Sequence, residues 1–192
     1  MIKKFFWGAC ALMSFSAMAE RPSFTFVEVG QTELEHEVVD GDFTGYDFEI
    51  SYELKDFFYL SGKVISTSDG DLKNETKSIG IGYQELIFTD TVMYIQADAV
   101  GVVFTRPNAG EFDEQGNQFT IGLKSNVTDW FEVDVAVKRL DAGEVDATFG
   151  DYRIDYGFVG LNFKVFDEFS IYANYQEESD SKRQSVGFRY DF

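Results

Sequence analysis

The sequence predicts an all-β fold: a closed up-and-down antiparallel β-barrel of ten strands that spans a membrane with its apolar face outward. Three observations predict it. Apolar and polar residues alternate along segment after segment. Short turns carrying an aspartate alternate with longer acidic connections. Aromatic residues, 17% of the chain, crowd the ends of the alternating segments.

The first nineteen residues form a separate object. A basic start, Met1-Ile2-Lys3-Lys4, precedes an apolar run from Phe5 to Phe15, and Ala17 and Ala19 fit the small-residue cleavage pattern before Glu20. Residues 1–19 are therefore predicted to be a cleaved signal peptide, and residues 20–192 the barrel. The apolar run is well short of the roughly 20 residues of a membrane-crossing helix. Cleavage removes Cys10, the only cysteine, and leaves no disulfide or cysteine metal site. It also removes Lys3 and Lys4, leaving fourteen basic residues against thirty-four acids, a net charge of −20. That charge opposes a nucleic-acid partner. No nucleotide or zinc motif is present, and no cofactor is expected.

The strands follow in order. The clearest is Gly45–Leu54, where Tyr46, Phe48, Ile50, Tyr52 and Leu54 share one face and Asp47, Glu49, Ser51 and Glu53 the other. A side-chain period of two is the mark of a strand. The same alternation runs through Phe24–Leu34, Phe57–Ser66, Thr76–Leu86, Thr91–Thr105, Gln118–Ser125, Trp130–Leu140, Tyr152–Lys164, Phe169–Glu177 and Ser185–Phe192. Within Tyr152–Lys164, Tyr156 and Phe158 fall out of phase with Val159, Leu161 and Phe163, so a bulge or a reset at Gly157 and Gly160 is expected. Asp56, Asp90, Asp129 and Asp167 mark four short turns, aspartate being a turn residue because its carboxylate bonds nearby amides. The other five connections, HEVVDGDFT, STSDGDLKNE, RPNAGEFDEQGN, DAGEVDATFGD and EESDSKRQ, read as long polar loops at the opposite end. Eight strands are the alternative count.

The apolar face is assigned to lipid on three grounds. Glycines gather on the polar face at Gly30, Gly80, Gly82, Gly122 and Gly187, where a narrow lumen needs small residues and a solvated face does not. Phe57, Phe58, Phe88, Trp130, Phe131, Phe166 and Phe169 lie by the short turns, and Phe104, Phe119, Tyr152 and Tyr175 by the long connections, as two interfacial girdles would require. The loops are asymmetric in length. Hydrocarbon offers no hydrogen bonds, so the first strand must pair with the last.

A signal peptide, paired strands with short turns, and a last alternating strand ending in Phe192 together resemble the bacterial outer-membrane β-barrel proteins over nearly all of residues 20 to 192. The resemblance implies a Gram-negative outer membrane as location. It also implies that Phe188, Tyr190 and Phe192 act as the signal read by the barrel assembly machinery. A porin-like monomer is expected, with outer-membrane lipid and lipopolysaccharide as partners. Glu33, Glu35, Glu37, Asp40 and Asp42 are candidates to bridge lipopolysaccharide phosphates through divalent cations.

Projected inward, the strands give a lumen network of Glu28, Asp47, Glu49, Glu53, Lys63, Asp98, Lys124, Glu132, Asp134, Lys138 and Arg189, joined by Asp191. Such a network can fill the bore of a small barrel and satisfy its own charges. The expected function is a non-enzymatic structural or surface-interaction role. Two alternatives stay open. Acids outnumber bases, which suits a narrow cation-preferring pore. The sole histidine, His36, with Ser66 and Ser68 at the same rim, is the candidate for an enzyme acting on lipid A or peptides.

Overall fold

The computed structural model describes residues 20–36, 42–55, 57–106, 110–144, 151–178 and 181–192. The signal-peptide expectation at 1–19 lies outside these residues, as do Glu37, Asp40 and the turn residue Asp56. Ten strands form one closed barrel: β1 (Phe26–His36), β2 (Asp42–Lys55), β3 (Phe58–Asp69), β4 (Leu72–Phe88), β5 (Thr91–Arg106), β6 (Gly110–Thr128), β7 (Phe131–Glu144), β8 (Asp151–Lys164), β9 (Phe169–Glu177) and β10 (Ser181–Asp191). Each strand pairs antiparallel with its neighbours in sequence, and β1 closes on β10 in unbroken register from Phe26↔Asp191 to His36↔Ser181. The strand count is therefore ten, not eight. Closure leaves no row of unpaired amides within the wall, which hydrocarbon would make costly.

The turn chemistry explains the short-turn end. Leu54, Ile87 and Val127 are extra residues that break the register just before the first three short turns. Such bulges increase twist where a strand must reverse. The opposite end departs from the sequence expectation. STSDGDLKNE is not a long loop: Asp69 pairs with Leu72, and Gly70 at φ 57° occupies the left-handed conformation that a two-residue hairpin demands. Likewise β6 already begins at Gly110, and only Glu178–Asp180 separate β9 from β10. The acidic segments are mostly the tall ends of hairpins, because ladder hydrogen bonds continue past the bilayer whatever the side-chain charge.

A second correction concerns β8. Its register against β7 runs without a break from Arg153 to Phe163, so no bulge resets the phase. Tyr156 and Phe158 instead point into the lumen, in phase with Gly160 and Asn162. Phe104 is a third: it shares the lumenal phase of Tyr94 and Asp98, so it does not belong to a girdle. The upper edge of the belt is marked outside by Tyr46 and Phe119.

The outer face is apolar and bare. Ile79, Phe119, Val137 and Phe188 are each more than half exposed. A contiguous apolar surface of this extent is stable only against lipid. At the short-turn end the rings touch in a chain: Phe131 and Phe163 at 4.7 Å, Trp130 and Phe163 at 6.4 Å, Phe169 and Tyr190 at 4.9 Å, Tyr190 and Phe192 at 6.2 Å. Phe192 also lies 6.5 Å from Tyr52 on β2, across the closing seam. The polar half of the strands faces inward, and among the described residues the packed core lies in the lumen.

Candidate functional site in the barrel lumen

The lumen is layered. Its floor, at the short-turn end, is built by residues 20–25, which the sequence pattern had placed partly in the first strand. They turn inward ahead of β1. The Phe24 ring sits 4.6 Å from Tyr59 and 5.5 Å from Tyr94. Lys124 Nζ lies 4.4 Å from the Phe24 ring centre and 5.0 Å from that of Phe26, and the Arg189 guanidinium lies 4.0 Å above Phe26. A cation over an aromatic face is attractive, more so out of water. The segment's backbone is met by lumenal side chains. Ser51 Oγ donates to the Phe24 carbonyl at 2.6 Å, Phe24 N–H donates to Glu53 at 3.2 Å, Arg189 donates to the Ser23 carbonyl at 3.1 Å, and Asn126 donates to the Glu20 carbonyl at 2.6 Å. Arg21 adds an ion pair to Glu53 at 3.3 Å.

Arg189 is the hub. It pairs with Glu132 at 3.1 Å, Glu28 at 3.7 Å and Asp191 at 2.7 Å, and is itself 3% exposed. Lys124 approaches the same Glu132 at 3.9 Å. A planar guanidinium can serve several acceptors at fixed angles, which an ammonium cannot.

Above the floor lies a charged middle. Lys63 donates to Glu49 at 2.7 Å, Tyr94 to Asp134 at 2.8 Å, and Tyr172 to Asp47 at 2.7 Å. A chain of bonds crosses from β3 to β8: Tyr59 to Gln96 at 2.8 Å, Gln96 and Gln118 both to Asp98, and Tyr156 to Gln118. Lys138 lies over Phe158 at 4.4 Å. Between these side chains remains a chamber of about 90 Å³, lined by Glu49, Lys63, Thr120, Asp134, Lys138 and Asn162. The buried Thr120 Oγ1 and Asn162 Oδ1 make no hydrogen bond with the described residues. A polar chamber of this size suits a few bridging waters.

Above the charged middle the lumenal phase turns apolar. Ile65, Val100 and Leu140 stand two positions above Lys63, Asp98 and Lys138, in the lumenal phase, and each is buried. Leu34 and Phe43, paired across β1 and β2, join them.

All eleven residues predicted for the lumen network point inward, and the structure brings Glu28, Glu132 and Arg189 together, Lys124 beside Glu132, and Glu49 against Lys63. Lys138 lies over the Phe158 ring. Phe188, Tyr190 and Phe192 face outward from β10. His36 ends β1 in register with Ser181, while Ser66 and Ser68 stand two strands away on β3. Among the described residues no cluster of three or more metal-ligating side chains occurs. Sequence reasoning missed the aromatic floor and the buried apolar side chains above the charged middle. The signal was present: Phe26 shares the phase of Glu28, and Ile65 that of Lys63.

A closed ten-strand antiparallel barrel, apolar outside and charged inside, is the kind of fold found in bacterial outer-membrane β-barrel proteins. Solved structures share that fold. The chain is similar to the KdgM porin in complex with disordered oligogalacturonate, with TM-score 0.52 and 12% identity over 86% of this chain and 99% of that one. A second structure of the KdgM porin gives TM-score 0.50 and 13% identity over the same shares, 86% and 99%. The N-terminal β-barrel domain of Pseudomonas aeruginosa OprF gives TM-score 0.46 and 16% identity over 88% of this chain and 98% of that one. No protein-family model and no curated protein matches the sequence.

Proposed function

We propose that this is a sealed, non-enzymatic barrel of the outer membrane with a structural or surface-interaction role. The observation that carries the reading is Phe24, seated in the bore between Tyr59, Tyr94 and Lys124, with the lumenal side chains bonding the backbone of its segment. The aromatic floor across the bore and the hydrogen-bonded side chains above it support a barrel closed to water. Purified protein in planar bilayers is expected to give no discrete conductance steps. Steady, cation-selective steps would overturn the reading.

A narrow cation-preferring pore is the second reading, favoured by the chamber and by the excess of lumenal acids over bases. The same excess argues against carrying over the ligand of the KdgM porin. Oligogalacturonate is a polyanion, and a lumen with Asp47, Glu49, Glu53, Asp98 and Asp134 would repel it. Phe188, Tyr190 and Phe192, outward on the closing strand, are proposed as the assembly signal. Outer-leaflet lipid is the proposed partner of the belt, with Glu33, Glu35 and Asp42 near its upper rim.

A further inference from the structure

Residues 20–25 precede β1 and belong to no strand, yet strands from several sides of the wall hold them. From β2, Ser51 Oγ donates to the Phe24 carbonyl, Glu53 accepts from the Phe24 N–H, and the Glu53 N–H donates to Thr25 Oγ1 at 3.0 Å. Tyr59 on β3 and Tyr94 on β5 pack against the Phe24 ring. Lys124 and Asn126 on β6 reach the same ring and the Glu20 carbonyl. From the closing strand, Arg189 donates to the Ser23 carbonyl, and the Phe192 N–H donates to the Thr25 carbonyl at 3.4 Å.

These partners are graded along the chain. The bonds to Ser51 and Glu53 link residues 27 and 29 apart, the bond from Asn126 links residues 106 apart, and that from Arg189 residues 166 apart. Contacts close in sequence form first, because closing a short loop costs less entropy than closing a long one. Phe24 can therefore seat on β2 and β3 before the later strands arrive. The seam is the opposite case: β1 pairs with β10, the strand farthest from it in sequence. Arg189 stands in that seam as the direct ladder partner of Glu28, and its guanidinium also lies over Phe26. The residue that completes the grip on the segment is thus one that closes the barrel.

We infer that residues 20–25 are an internal template for closure: they seat on the β2–β3 hairpin early, and the sheet curls around Phe24 until Arg189 meets the Ser23 carbonyl and the β1–β10 seam shuts. Burial of the ring supplies attraction, and the charge-assisted bond from Arg189 to the backbone supplies direction. The rival is a plug that enters from the short-turn end after the seam has formed. Kinetics separate the two. Removing a contact already made in the transition state slows folding, whereas removing one made later speeds unfolding. The template concerns how the barrel closes, and it holds whether or not the closed lumen conducts.

The test refolds the protein from urea into lipid vesicles and times closure by the appearance of the heat-resistant form on gels. Unfolding rates are read separately in concentrated urea. Phe24→Ala is expected to slow closure about tenfold while changing the unfolding rate by no more than about twofold. Phe24→Leu keeps apolar bulk and carries the test if the alanine variant yields no closed barrel; its closure is expected to slow about threefold. Tyr156→Phe, which removes the bond to Gln118 away from the floor, is expected to close at the parental rate and to unfold faster. A leucine or alanine variant that closes at the parental rate and only unfolds faster would make residues 20–25 a late plug and overturn the template. Equal slowing by Tyr156→Phe would overturn it too, because closure would then depend on the lumen at large.

Discussion

The Tyr59 ring lies flat across Gly82, its direct partner in the β3–β4 ladder, so that a Cβ built on Gly82 would overlap the ring. From that position the phenol reaches Gln96 at 2.8 Å and the ring packs, tilted, against Phe24. Tyr94 lies on Gly122 and Tyr172 on Gly187 in the same way, again as direct ladder pairs. Each tyrosine stands on an odd-numbered strand soon after a short turn, and each glycine on the following strand. The bare glycine lets a large ring lie along the wall rather than block the bore.

Gly82→Ala is therefore predicted to displace Tyr59 and loosen the floor. Overpacking a fitted site costs about 1–3 kcal/mol. Gly101→Ala is the control, because a Cβ there meets nothing within 4 Å; its effect should stay within about 0.5 kcal/mol. Urea titration of the two variants in lipid vesicles checks the difference, and equal midpoints would refute the ring-over-glycine account.

Arg189 holds three carboxylates and a carbonyl at once. Arg189→Met would leave Glu28 and Glu132 buried without their main counter-charge. Removing one partner of a buried ion pair costs about 3–5 kcal/mol. Arg189→Lys is predicted to recover only part of this, since one ammonium cannot face Glu132, Asp191 and the Ser23 carbonyl together. Unfolding midpoints order the three proteins; a lysine variant as stable as the parent would show that charge alone is needed.

These relationships mark how far the sequence could be read. The alternation in GYDFEISYEL settles which half of β2 faces out, because every second residue agrees. Lumenal placement of Glu49 and Lys63 followed from the same rule. Tyr156 and Phe158 did not, since a barrel interior accepts aromatics in the polar phase wherever a facing glycine or small residue makes room. Ile65, Val100 and Leu140 were hidden similarly: one apolar residue in a polar phase changes a strand's average little. The floor was illegible for another reason. Residues 20–25 are held in the bore by groups distant in sequence: Asn126 and Arg189 bond them from the far side of the chain.

The floor yields a prediction about access. Thr120 lines the chamber and is buried. Thr120→Cys, in a chain with Cys10→Ser, gives a single thiol inside the barrel. A charged thiol reagent is predicted to modify it slowly in the parent and markedly faster once Phe24→Gly removes the ring that spans Tyr59 and Tyr94. Mass spectrometry of labelled protein follows the two rates. Unchanged rates would mean that residues 20–25 do not close the bore.

Trp130 tests where the bilayer lies. It is the only tryptophan in residues 20–192, it follows the turn residue Asp129, and it is 58% exposed. Its ring rests 5.9 Å from Phe131 and 6.4 Å from Phe163. An indole has an apolar body and an N–H that seeks an acceptor, so it favours the depth where acyl chains meet headgroups. If the short-turn end is one membrane surface, lipids brominated near the carbonyl should quench Trp130 more strongly than lipids brominated at the chain terminus. The opposite order would put the short turns in the hydrocarbon centre, where turn backbone outside the ladder could not be satisfied by water. A barrel that buried its apolar face inward would show neither order, because its tryptophan would meet no lipid at all.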